Sequence, residues 1–183
     1  QAKEKGARVT AEVTPHHLLL TEEAVRGYNT NLKVNPPLRT EEDRQALITA
    51  LADGTIDAIA TDHAPWARHE KEVEFDVAPF GMVGLETALA AIWTKLVMPG
   101  ELSAQRAIEA LSTRPCQIVG TQGGRILEGA RADFVIFNPD QIWEVDPNNF
   151  ASKGKNTPFA GWKLQGRVIE TVARGKVVYR WEK

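Results

Sequence analysis

The chain has 183 residues, 43% hydrophobic and 25% charged, the profile of a globular protein of one or two domains with enough apolar mass for a real core. Its formal net charge is −2 and its basic residues are interspersed with acids, which excludes the electrostatic footprint of a nucleic-acid or acidic-membrane binder. The longest apolar stretch, Leu85 to Val97, is broken by Glu86 and Lys95, so nothing in it reads as a membrane span.

The single cysteine, Cys116, rules out an intrachain disulfide framework and fits a reducing cytoplasm. Set in Pro115-Cys116-Gln117-Ile118, it reads as a small core residue and not as a nucleophile. The sequence opens at Gln1, and Gln1 to Gly6 reads as the last turns of a helix closed by a glycine. The expectation is a piece of a longer protein.

Ala7 to Val13 alternates apolar and polar side chains and predicts a strand that leaves Thr14-Pro15-His16-His17 at its carboxyl end. Leu18 to Val25 follows as a helix, with Thr21 placed as N-cap before Glu22 and Glu23. Asn29 to Arg39 holds Asn35-Pro36-Pro37 and must be irregular, because consecutive prolines remove donors and fix the backbone. Thr40-Glu41-Glu42-Asp43 opens the next helix, which runs to Ala52 and ends at Asp53-Gly54. A second strand runs from Ile56 to Thr61, followed by a polar loop from Trp66 to Pro79. Gly84 to Val97 predicts a helix with an apolar face at Leu85, Leu89, Ile92, Trp93 and Leu96, and Ser103 caps another over Ala104 to Leu111.

Strand, helices, strand, helices is the order of a parallel α/β sheet with crossover connections. Past Gly123-Gly124 the character changes to short β-rich runs: Ile126–Gly129, Ala132–Phe137, Ile142–Val145, Gly166–Ala173 and Lys176–Tyr179. The division is therefore an α/β part over residues 1–120 and a small β part over 121–183. Two parallel strands neither close a barrel nor cover a sheet on both faces, so the α/β part needs partners beyond itself.

Ala60-Thr61-Asp62-His63-Ala64-Pro65 places an acid and a histidine at the end of the second strand. In barrel enzymes that end carries the catalytic groups, and a carboxylate there can bind a metal and move a proton in one turnover. The same pair can equally be a loop that caps the next helix. Four histidines are present, His16, His17, His63 and His69, but none lies in a His-x-His or His-Glu-x-x-His spacing. Adjacent histidines on a strand point to opposite faces, so each reads as a hydrogen-bonded structural residue and Asp62 is the stronger candidate.

Taken together, Glu12-Val13-Thr14-Pro15-His16-His17-Leu18-Leu19-Leu20, Lys33 to Arg39, Thr61-Asp62-His63-Ala64-Pro65, Ala78-Pro79-Phe80-Gly81 and Gly84-Leu85-Glu86-Thr87 resemble the bacterial class of dihydroorotases, a branch of the amidohydrolases. Asn156 to Gly161 and Gly166-Arg167-Val168 resemble the same family's closing β segment. The resemblance covers essentially the whole chain. It implies the C-terminal part of a (β/α)8 TIM-type barrel, contributing the last two strands and helices, plus a small β domain. It implies zinc-dependent interconversion of N-carbamoyl-L-aspartate and dihydroorotate in pyrimidine biosynthesis, with most metal ligands before Gln1. Carried over by position, Asp62 is a metal ligand and general base, while Asn35, Phe80 and Gly81 meet the substrate. Trp66 stands where the family's pattern has a histidine that helps hold the substrate carboxylate; an indole offers one N–H and no positive charge.

The expectation is an isolated chain without turnover, joined in the parent by the N-terminal part of the barrel and prone to homo-oligomerise. Two other readings stay open: a related cyclic amidase such as an allantoinase or hydantoinase, and a non-catalytic scaffold subunit of aspartate transcarbamoylase.

Overall fold

The computed structural model describes residues 2–3 and 5–182. Near its start Ala7 N donates to Ala2 O at 3.0 Å and Gly6 N to Lys3 O at 2.9 Å, with Gly6 at φ +78°. These two bonds close a turn on a left-handed glycine in the pattern of a Schellman motif; Gln1 and Glu4, the rest of the expected helical run, lie outside the described residues.

The first strand is much shorter than its pattern suggested. Only β1 (Glu12–Val13) pairs, in parallel, with β2 (Ala58–Ile59), in the register Glu12↔Ala58 and Val13↔Ile59. Ala7 to Ala11 are exposed, and Ala11 N is taken by the Asp57 carboxylate at 2.9 Å in place of a ladder bond. Strand β2 is correspondingly short, though Ile56 to Ile59 are all buried.

His16 and His17 are not on the strand. Thr14 caps a helix α1 (Pro15–Leu19), its Oγ1 accepting from His17 N at 3.2 Å, with Pro15 in the first turn where its missing N–H costs nothing. The predicted Leu18–Val25 helix is thus split: α1 ends at Leu19 and a 3₁₀ turn covers Glu22–Gly27. Helix α2 (Glu41–Ala52) starts where expected, with Thr40 Oγ1 accepting from Asp43 N and three acids in its first turn suiting the positive end of the helix dipole. Gly54 at φ +85° follows it. Arg44 Nη1 reaches Leu18 O at 3.0 Å and ties α2 to α1.

After β2 comes a one-turn helix α3 (Arg68–Lys71) inside the predicted loop. Helix α4 (Ala88–Ile92) continues as a π-helical turn over Trp93–Val97, later and looser than predicted; Leu85 lies outside it and is exposed. Ser103 caps α5 (Ala104–Ile108), which runs through a π-turn, Glu109–Thr113, into α6 (Arg114–Ile118), so the helical run extends beyond Leu111. Cys116 is half-buried and free.

The tail forms one antiparallel sheet, β3 (Phe134–Glu144), β4 (Lys163–Ala173) and β5 (Lys176–Arg180), in that order. Predicted runs Ala132–Phe137 and Ile142–Val145 merge into β3, while Ile126–Gly129 forms no strand. Gly166 at φ +93° lets Phe137 lie against Trp93: a Cβ there would meet Phe137 Cζ at 2.4 Å and Trp93 Cδ1 at 3.2 Å. Thr94 Oγ1 donates to Ala90 O and accepts from Gln165 N at 2.8 Å, fastening the π-turn to β4.

Two cores result. Val13, Leu18, Ile48, Leu51, Ile59, Ile92 and Leu96 fill one between the parallel pair and its helices. The other joins Leu32, Met82, Ala90 and Ala91 to Val145, Phe150, Phe159 and Leu164, so the segments around the sheet pack on the α/β part. No helix among the described residues is long and apolar enough to cross a membrane.

Candidate active site at the end of the second strand

Strand β2 delivers Asp62 onto a short loop in a left-handed conformation, φ +48°, uncommon for a non-glycine residue. Such backbone strain persists only where surrounding contacts hold it. The next residues supply them. His63 Nδ1 accepts from Gly84 N at 3.2 Å, which leaves the ring proton on Nε2 to face Ser152 Oγ at 3.4 Å. Ala64 N donates to Met82 O at 2.9 Å. His63 is thus a structural brace, as expected, and Asp62 itself is exposed.

Trp66 is held by both its nitrogens. Its backbone N donates to Asn156 Oδ1 at 2.8 Å, and its indole Nε1 donates to Phe80 O at 2.9 Å. The single indole donor is therefore committed to the protein and does not take over an imidazole's role toward an anion. Arg68 is paired with Glu72, and His69 is exposed on α3.

The Pro79 to Met82 turn spends every one of its four carbonyls inward. Pro79 O accepts from Lys71 Nζ at 2.8 Å, Phe80 O from Trp66, Gly81 O from Lys71 Nζ at 3.1 Å and Asn156 Nδ2 at 3.2 Å, and Met82 O from Ala64 N. Gly81 sits at φ +107° where a Cβ would fall 2.4 Å from Ala64 Cβ, so the turn lies directly on the Asp62 loop only because this residue is glycine. Gly81 N donates to Lys33 O at 2.8 Å, which brings the Asn35-Pro36 segment alongside. Asn35 is exposed, and Pro36 O is bonded to His17 Nε2 at 3.0 Å.

The structure thus joins Trp66, Phe80 and Gly81 directly, attaches Asn35 through Lys33, and presents Asp62 beside them on the strand end. Two lysines lie at this turn. Lys71 is buried with carbonyls as its partners, and burial first, then Lys33, lowers its pKa to about 8. Lys33 Nζ lies 4.7 Å from the centre of the exposed Phe80 ring. An exposed carboxylate at a strand end can accept and return a proton.

A zinc centre takes four nitrogen, oxygen or sulfur ligands, three of them from protein when catalytic. Among the described residues no group of three or more histidines, cysteines or acids that could hold a metal comes together, around Asp62 or elsewhere. These residues by themselves do not fit a metal centre.

Sequence reasoning missed Asn156, Lys71 and Gly154. Asn156 sat within a motif noticed only as part of the closing segment; nothing in the pattern of a polar loop marked Lys71 as buried. His16 is also buried, its Nε2 without a partner, and burial with the adjacent His17 lowers its pKa to about 3. A cavity of about 360 Å³ lies elsewhere, between Leu85, Leu89 and the sheet residues Phe137, Trp143 and Arg167. None of the five candidate residues lines it.

Residues 2–178 match the amidohydrolase family. The chain belongs to that family. Among its amidohydrolase relatives it is 53% identical to a dihydroorotase from Pelotomaculum thermopropionicum over 178 residues, 97% of this chain and 42% of that protein. It is 52% identical to a dihydroorotase from Syntrophus aciditrophicus over 98% of this chain, again 42% of the relative. The chain thus spans well under half the length of these proteins. In structure it superposes on an L-hydantoinase (dihydropyrimidinase) from Arthrobacter aurescens with TM-score 0.93 at 32% identity, covering 98% of this chain and 41% of that one. The architecture is accordingly an α/β fold of the TIM-barrel type.

Proposed function

We propose that this chain is the C-terminal portion of a dihydroorotase: residues 1–120 supply the last two barrel strands and their helices, and residues 121–183 the closing segment of a small β domain. The observation that carries the reading is the identity of 52–53% with dihydroorotases along nearly the entire chain, against 32% with the hydantoinase it superposes on. The cations Lys33 and Lys71 around the Phe80–Gly81 turn support it further, because dihydroorotate and N-carbamoyl-L-aspartate are both anions.

In this reading Asp62 is the catalytic carboxylate. In ring opening a water adds to the ring carbonyl, its proton passes to Asp62, and the C–N bond breaks as Asp62 returns that proton to the leaving ring nitrogen. The backbone of Phe80 and Gly81 flanks the pyrimidine ring, Asn35 lies at its edge, and Trp66 walls the pocket while locking Phe80 in place. Asp62 is also one ligand toward zinc, whose remaining ligands lie outside this chain; the ion when bound supplies the acidity that makes water a nucleophile near neutral pH. The chain alone has no turnover. The other partners in this reading are the N-terminal part of the barrel and further copies of the enzyme, with a transcarbamoylase association as an additional one; the place is the cytoplasm.

The test is ring opening of dihydroorotate by the intact enzyme, with bound zinc quantified, for wild type and Asp62→Asn. Wild-type turnover should fall by about 10²–10⁴-fold in the variant, the span of general acid–base catalysis. Turnover on hydantoins or allantoin but not on dihydroorotate would replace this reading with the cyclic-amidase one. A folded, metal-free, inactive wild type would replace it with the scaffold.

A further inference from the structure

We propose that Asn156 is the positioning residue that sets the separation between the Asp62 loop and the Phe80–Gly81 turn. The inference rests on the dihydroorotase reading of that site and adds a residue to it. Asn156 is 5% exposed and reaches the site from the segment that precedes β4. Its Oδ1 accepts from Trp66 N at 2.8 Å, and its Nδ2 donates to Ala64 O at 2.9 Å and to Gly81 O at 3.2 Å. Its own carbonyl accepts from Val83 N at 2.9 Å. One planar amide thus bonds both sides of the pocket, the Ala64–Trp66 loop on one and the Gly81–Val83 turn on the other.

The chemistry requires this residue type. The position needs one acceptor and two donors in a plane, which a primary amide has; a carboxylate of the same shape keeps the acceptor and loses both donors, and an aliphatic side chain loses all three. The amide orientation follows from the same count, since only Nδ2 can meet two carbonyls. The backbone leaves no slack. A Cβ on Gly154 would lie 2.7 Å from Pro65 Cα and from Trp66 N, so the Asn156 segment is already seated against the Asp62 loop. Asn156 contacts neither Asp62 nor, in the proposed geometry, the reacting atoms. Its effect passes through Gly81 and Trp66, that is, through where the substrate sits.

The experiment compares wild type, Asn156→Asp and Asn156→Ala in the intact enzyme, by hydrogen exchange and by kinetics on dihydroorotate. Asn156→Asp should fold, raise amide exchange over residues 78–84 beyond any rise elsewhere, and leave residues 65–67 close to wild type because the Trp66 acceptor remains. Its KM should rise about 10-fold with kcat within about 3-fold, while Asn156→Ala should loosen both loops and lower kcat/KM by about 10²-fold, the cost of a misplacement near 1 Å. Unchanged exchange in both loops, a rise spread evenly over the chain with KM unaltered, or failure of Asn156→Asp to fold would each overturn the proposal and make Asn156 part of the scaffold. A wild type that does not open dihydroorotate defeats the functional reading instead, and the exchange comparison then decides the role of Asn156 by itself.

Discussion

Gly154→Ala is the smallest change that tests whether the site is built by close packing of three loops. Gly154 is buried, and the added methyl would stand 2.7 Å from Pro65 Cα, 2.7 Å from Trp66 N and 2.8 Å from Asn156 Oδ1. Two of these neighbours belong to the backbone, so no side chain can swing aside, and reaching an ordinary contact distance takes a shift of about 1 Å. Overpacking of this kind costs about 1–3 kcal/mol. Separating the loops by that amount also stretches the 2.8 Å bond from Trp66 N to Asn156 beyond hydrogen-bonding range, which adds about 1 kcal/mol. The expected loss is about 3 kcal/mol in urea denaturation of the intact enzyme, together with a fall in kcat/KM of about 10²-fold from displacement of the pocket wall. Gly27→Ala is the control: a Cβ there meets nothing within 4 Å, and alanine at an unstrained position is neutral or stabilises by about 0.4–1 kcal/mol. A Gly154→Ala protein within about 0.5 kcal/mol of wild type and fully active would refute the packing argument.

Two further perturbations probe the scaffold beneath the site. Asp57, with its side chain 5% exposed, accepts from Lys3 Nζ at 2.6 Å, Ala11 N at 2.9 Å and Arg114 Nη2 at 2.9 Å; burial works against its charge, but these donors outweigh it and hold its pKa well below the usual carboxylate value. Asp57→Asn should destabilise by about 2–3 kcal/mol at pH 7, less than a fully buried pair because Lys3 and Arg114 keep about a third of their exposure, and the difference from wild type should shrink only as pH drops below about 4, where the unfolded carboxyl takes up its proton; equal denaturation midpoints would contradict it. His16 is neutral when folded, with a pKa of about 3 against 6.5 unfolded, so its contribution is complete above pH 6.5 and declines as pH falls toward 3. Between pH 6 and 4 wild type should lose about 1.4 kcal/mol per pH unit more than His16→Asn in urea melts, and parallel slopes would show that His16 is not the acid-sensitive group.

What the sequence made legible follows from how local each cause is. The start of α2 is written in four consecutive residues, Thr40 to Asp43, and forms where expected because capping needs nothing distant. The end of the second strand before Asp62 is likewise legible from the apolar run that precedes it, whereas Gly81 enters only through the family resemblance. The strand lengths were not legible. Ala7 to Val13 has a strand's alternation, yet only Glu12 and Val13 pair, because β2 offers a two-residue partner and the carboxylate of Asp57 intercepts Ala11 N. His16 and His17 show the same limit in reverse: Thr14 and Pro15 are a helix start, and the pattern of the preceding segment concealed it.

The site's geometry depends on contacts between segments far apart in the chain, and these are what periodicity cannot reveal. Asn156 meets Trp66 across 90 residues and Gly81 across 75, while Lys71 turns inward from a stretch whose charge reads as solvated loop. Both act on the same carbonyl, that of Gly81, so a neutral amide and a buried ammonium together fix one peptide plane. That arrangement explains why the turn needs no secondary structure of its own to be rigid: its four carbonyls are all claimed by groups outside it. It also leaves Trp66 without a free donor, since both its nitrogens are bonded within the protein. The indole N–H serves Phe80 O, an acceptor inside the protein, while Lys33 stands over the Phe80 ring and Lys71 donates to Pro79 O and Gly81 O from behind the turn.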